Sequence, residues 1–145
     1  MDDKFVIGEA PDPVTEVKNL LMYNDFLYEE YNGSFILRFE DRGMKWKTMI
    51  SCVNQRVLIY SIYPFPVSGG EKLEKFVSGV NSRAASGAMF TKEENGKLWL
   101  VFRTGSELFD AYSAYETIGR DLEYNADVIT ALWNEASHYR SAEIH

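Results

Sequence analysis

Few side chains in this 145-residue chain are of a type that does chemistry, and their spacing decides what they can do. Cys52 is the single cysteine, so no disulfide can close within the chain. It falls inside an alternating apolar run, where a free thiol packs as a small hydrophobe. His138 and His145 are the two histidines, both near the C-terminus. Glu135 and His138 are three apart and could share a metal on one helical face, but zinc sites use at least three protein ligands. A Ser-His-Asp or Cys-His nucleophile would have to recruit one of these terminal histidines. Ser68-Gly69-Gly70 precedes a helical pattern, and helix N-termini can bind anions. The loop lacks the glycine patterns of phosphate-binding loops, and Glu71 would repel a phosphate, so it reads as a flexible connection. Glu29-Glu30, Glu40-Asp41 and Glu93-Glu94 are adjacent carboxylates whose side chains diverge on a strand, so none forms a shared-proton pair. The expectation is therefore no catalytic residue, no metal site and no cofactor.

Composition narrows the partners. The 22 acidic and 15 basic residues give a net charge of -7, which argues against nucleic acid, since phosphate binding needs clustered cations. Arg38, Arg42, Lys45 and Lys47 form the one dense basic cluster, interrupted by Glu40 and Asp41. Hydrophobic residues at 46% and aromatics at 14% suit one domain with a real core. No uncharged apolar run approaches the ~20 residues that span a bilayer, and MDDKFVIGEA does not read as a signal peptide. A cytoplasmic protein with no membrane partner is expected.

The elements that would position these groups follow from periodicity. Residues 1–12 read as an arm in which Phe5-Val6-Ile7 could dock on the domain; residues 13–137 read as a single domain and 138–145 as a tail. Asp12-Pro13 opens a helix, with Val14, Val17, Leu20 and Leu21 at helical spacing. Residues 26–31 fit either a helix or an extended segment. From Gly33 the period becomes two: Phe35, Leu37 and Phe39 alternate with Ile36, Arg38 and Glu40, and a turn at Asp41-Arg42-Gly43 leads to a second strand, about 45–53. Asn54-Gln55 connects it to a third strand, Arg56 to Tyr63, which Pro64-Phe65-Pro66 ends. A second helix carries Leu73, Phe76, Val77 and Val80 and exits at Asn81, whose side chain is expected to bond turn backbone. A hairpin closed on Asn95-Gly96 joins strands near 88–92 and 97–104. Thr104-Gly105-Ser106 opens a last helix with a stripe from Leu108 through Tyr112, Tyr115, Gly119, Leu122, Ala126, Ile129 and Trp133 to Ala136. Unbroken from 107 to 137, it would be roughly 45 Å long, twice the width of a five-stranded sheet. It must then break, with Gly119 and Asn125 as candidates, or overhang and leave Trp133 to be covered by a partner.

This order of elements, with VNSRAASGAMF followed by a hairpin ending in LVFRT, resembles a YbjN-type domain, the group labelled as sensory transduction regulators of bacteria, itself similar in fold to type III secretion chaperones. In such domains an Asn closes the second helix, here Asn81, and a Gly plus an aromatic open the fourth strand, here Gly87 and Phe90. The resemblance implies an α+β two-layer sandwich: an antiparallel five-stranded sheet with helices on one face, in the order α-βββ-α-ββ-α. It also implies non-enzymatic work, either chaperone-like or regulatory. Secretion chaperones are small, acidic, cytoplasmic dimers, so a homodimer is expected.

With helices on one face, the other must be partly solvated. Alternation sends Phe35, Leu37, Phe39, Trp46, Ile50, Leu98, Leu100 and Phe102 to the core. The opposite face then holds Ile36, Arg38, Lys45, Lys47, Met49, Trp99, Val101 and Arg103. Of these, Ile36, Arg38, Met49, Trp99, Val101 and Arg103 are the candidate protein-binding surface, since Trp and Arg are common interface anchors. A protein-binding module is the first reading. The alternatives are an immunity or adaptor protein that masks a partner, and an enzyme of unknown type.

Overall fold

The computed structural model describes residues 10–142; the arm segment Phe5-Val6-Ile7 and His145 lie outside the described residues. The elements are α1 (Pro13–Tyr23), β1 (Tyr28–Tyr31), β2 (Ser34–Asp41), β3 (Met44–Val53), β4 (Arg56–Val67), α2 (Glu71–Arg83), β5 (Ala88–Glu94), β6 (Lys97–Glu107), α3 (Ala111–Ala131) and α4 (Trp133–Ser137). The strands form one sheet in the order β1-β2-β3-β4-β6-β5, antiparallel throughout. The α+β class stands, but the sheet has six strands, not five. The ambiguous residues 26–31 supply the extra one, running from Tyr28↔Leu37 to Tyr31↔Ser34 across an Asn32-Gly33 turn. Both residues of that turn have positive φ, as do Arg42-Gly43 and Asn95-Gly96, the backbone that a tight hairpin requires.

Three expectations about where elements stop are corrected. The strand expected to end at Pro64-Phe65-Pro66 continues through both prolines to Val67. The ladder with β3 reaches only Lys47↔Ile62, so the prolines sit where β4 has lost that neighbour. On the other side the β6 register shifts between Ile62 and Pro66 and resumes at Pro66↔Trp99. Thr104-Gly105-Ser106 belongs to β6, which pairs with β4 as far as Arg56↔Glu107. The helix starts later, where the Asp110 carboxylate accepts the Ser113 N–H at 2.9 Å. The last helix breaks at Leu132, not at Gly119 or Asn125. That break turns Trp133 back onto Trp46, Tyr63 and Phe65, with ring centroids 5.4–6.3 Å apart, so no partner is needed to cover it.

The segment read as a tail is tied to β4. The Ser68 N–H donates to the Tyr139 carbonyl and the Ser141 N–H to that of Pro66, each at 2.8 Å. The Arg140 guanidinium lies 4.4 Å from the Phe65 ring centroid.

All four helices pack on one face, over two clusters. The first joins Val17, Leu20, Leu21 and Ile118 to Phe35, Leu37, Ile50, Val57 and Ile59. The second joins Leu73, Phe76, Val80, Ile129 and Ala136 to Trp46, Tyr63, Phe65, Leu100 and Phe102. The buried stripe of α3 is Ala114, Ile118, Leu122, Asn125 and Ile129. The expected stripe is therefore rotated at its start, and Tyr112 is 98% exposed. Near the helix exit, Asn81 pairs with the backbone of Met89: its Nδ2 donates to the carbonyl at 2.9 Å and its Oδ1 accepts the N–H at 2.7 Å. Gly87 has φ +80°, and a Cβ there would lie 2.6 Å from the Arg103 carbonyl oxygen. Both residues are explained by how they fix β5.

Candidate functional site

The pairing registers lay out the sheet face that carries no helix. One row across it reads Glu29, Ile36, Met49, Tyr60, Arg103, Ala88. The next reads Arg38, Lys47, Ile62, Val101, Phe90. The third pairs Glu40 with Lys45 at one end and runs Pro66, Trp99, Lys92 at the other. All six candidate residues lie on this face. Arg38 and Arg103 are exposed, and Ile36, Met49 and Trp99 are half-buried. Val101 is the exception: it is 2% exposed, a small side chain with Ile62 and Phe90 directly opposite, so it supports the surface without being available on it.

In these three rows the cations are Arg38, Lys45, Lys47, Lys92 and Arg103, against Glu29 and Glu40; the further pairs Arg56↔Glu107 and Lys97↔Glu94 on the same face balance in charge. A chain of net charge -7 thus collects a positive excess on its one helix-free face. Glu29 and Arg38 pair at 3.4 Å, but among the described residues Lys45, Lys47 and Arg103 make no ion pair.

Where β4 leaves β3, the sheet opens into a cleft of about 440 Å³. Arg38, Lys45, Lys47, Ile62, Pro64 and Trp99 line it from the open face, and Phe39, Trp46 and Tyr63 from the core side. Trp46 is 5% exposed, and its indole N–H is buried without an acceptor among the described residues. Sequence reasoning missed Ile62, Pro64 and the core-side wall. The available signal was the proline pair itself, which marks a fork in the sheet as well as it marks a strand end.

A second polar feature lies deeper. Asn125 Nδ2 donates to the Ile59 and Phe102 carbonyls and to Thr104 Oγ1 at 3.1–3.4 Å, and its Oδ1 accepts from Ser61 Oγ at 2.5 Å. Ser61 spends its one proton on Asn125, so Thr48, 2.7 Å from Ser61, must be the donor to it. Thr104 and Ser106 in turn bond the Asp121 carboxyl, whose pKa burial raises above the usual carboxylate value. This donor chain runs one way and every link is paired, as a structural pin between α3 and the sheet requires.

Among the described residues the remaining candidates are not brought together into a site. Burial, with Asp12 nearby, pushes the Cys52 thiol up to about 11, so it stays protonated at neutral pH. Among the described residues no three His, Cys, Asp or Glu side chains come together to hold a metal. Lys75 and Glu71 pair beside the Ser68-Gly69-Gly70 loop at 3.5 Å. Among the described residues no helix is long and apolar enough to cross a membrane.

No protein-family model matches the chain, and no curated protein matches it in sequence. Its structure is similar to the crystal structure of YbjN from E. coli, described as a putative transcription regulator. The TM-score is 0.70 at 14% identity, over 88% of this chain and 93% of that one. Two chains that differ at most positions thus share one backbone path over nearly their whole lengths, and the fold of this protein is a YbjN-like fold.

Proposed function

We propose that this chain is a non-catalytic protein-binding module, chaperone-like or regulatory, that receives its partner on the open face of the sheet. One observation carries the reading: the helix-free face joins half-buried Ile36, Met49, Tyr60, Ile62 and Trp99 to an excess of cations, of which Lys45, Lys47 and Arg103 make no ion pair among the described residues. Apolar anchors with a charged border are the composition of a recognition surface. The overall charge of -7 favours a protein over a nucleic acid as the occupant.

The test compares the two faces of one protein. A photo-crosslinking amino acid is placed in the full chain at Tyr60, on the open face, or at Tyr112 on α3, and crosslinks are collected in the native cell. Adducts from position 60 that vanish with Trp99→Ala, and none from 112, are expected. Trp99→Ala should cost less than about 1 kcal/mol of stability, because the side chain is only half-buried. Adducts from the helical side alone, or a large loss of stability, would count against the reading.

A further inference from the structure

We propose that the cleft between β3 and β4 is the anchor site for an apolar peptide segment of a partner protein that carries carboxylates. This rests on the open face being a protein-binding surface, and it assigns one place and one chemistry to it.

Three independent features of the cleft agree. The first is shape. Because the β3 ladder stops at Lys47↔Ile62 and Pro64 follows, the sheet has an opening of about 440 Å³, within the range that holds an organic group. Its walls include Phe39, Trp46, Tyr63, Ile62 and Trp99, so the part of the ligand that enters is apolar. The second is charge. Arg38, Lys45 and Lys47 border the opening with Glu40 as the lone carboxylate, and neither lysine is paired among the described residues. A ligand bearing carboxylates complements that rim. The third is Trp46, which lines the wall and whose indole N–H is buried without an acceptor among the described residues. An unpaired buried donor costs free energy, and an occupant that brings an oxygen to it recovers that cost.

Each rival ligand fails at least one feature. A hydrocarbon leaves both the N–H and the cations unanswered. A neutral amide answers only the N–H. A long polyanion meets the chain's net negative charge as soon as it extends past the rim. An acidic, apolar peptide answers all three.

The test titrates the 15N-labelled full chain with the peptide acetyl-Asp-Phe-Ile-Asp-amide and with its Asn-Phe-Ile-Asn counterpart, following the tryptophan indole N–H signals by NMR. Trp46→Phe identifies the Trp46 signal. The acidic peptide should move the Trp46 and Trp99 signals saturably, and the neutral peptide should bind more weakly. Lys47→Glu should weaken the acidic peptide roughly tenfold and abolish the difference between the two. Equal affinity for both peptides would overturn the proposal. Movement of Trp99 and of the Met49 amide with a still Trp46 signal would overturn the cleft while leaving the open face as a binding surface; no movement of any of them, with no crosslinks from position 60, would remove both. A Trp46 signal that shifts without peptide, either with protein concentration or on Asp2→Asn with Asp3→Asn, would make the occupant a second copy or the chain's own arm, and would equally overturn it.

Discussion

Two buried polar groups sit on the core side of the same sheet, and they are treated in opposite ways. The Asn125 amide is fully paired: its donors and its acceptor are taken by Ser61, Thr104 and two backbone carbonyls. The Trp46 indole N–H is comparably buried and has no acceptor among the described residues. The first group is closed by its own chain and so holds the fold. The second is left unpaired, on a residue that lines a cleft reaching solvent. Burial alone does not distinguish a structural polar group from a binding one; whether the chain completes its pairing does.

Asn125→Ala should separate them most sharply. It leaves Ser61 and Thr104 short of partners in the core and should cost about 2–4 kcal/mol in urea unfolding. Peptide binding at the cleft should be unaffected under conditions where the variant is folded. A loss below 1 kcal/mol would mean that this donor chain is not a pin.

Asp121→Asn probes the end of the same chain through pH. Burial raises the Asp121 pKa in the native state, so the native chain holds that proton more tightly than the unfolded one. The associated stability is present below the unfolded value of 3.8 and is lost as pH rises through the raised native value. The variant, which carries no such proton, should match the wild type in acid and exceed it at neutral pH. Melting temperatures across pH 3.5 to 7 read the difference directly, and a variant less stable at pH 7 than the wild type would reverse the assignment.

Trp46→Phe should have the smallest effect on stability, within about 1 kcal/mol. It removes an unpaired donor, which is favourable, and some packed volume, which is not. A loss near 3 kcal/mol would show that lost packing or a lost partner outweighs the relief of the unpaired donor, and would erase the contrast with Asn125.

Much of this architecture is legible in the residues. Asn95-Gly96, the alternation from Phe35 to Ile50 and the apolar face of α2 each have a local cause, and local causes survive into the fold. What the pattern could not show depends on neighbours remote in sequence. Pro64 and Pro66 are tolerated in β4 because β3 stops short of them, a fact recorded in β3. Thr104-Gly105-Ser106 reads as a helix opening until β4 is present to pair with it. Alternation put Val101 on the correct face, but its exposure is set by Ile62 and Phe90 on two other strands. The cleft is the extreme case: each of its residues looks like an ordinary strand position, and only the fork makes them a site.

The β3–β4 fork also bears on how the chain folds. Strands β1 to β4 close one upon the next through two-residue turns, whereas β6 begins thirty residues after β4 ends, with α2 and β5 in between. Loop-closure entropy therefore delays the β4–β6 seam, and a nascent β1–β4 meander presents β4 as an open edge while it waits. Open edges of that kind recruit strands from other molecules. The irregularity between Ile62 and Pro66, where the two prolines sit, breaks the regular ladder along that edge. The residues that open the cleft in the finished protein thus also make the unfinished one a poorer template for misassembly.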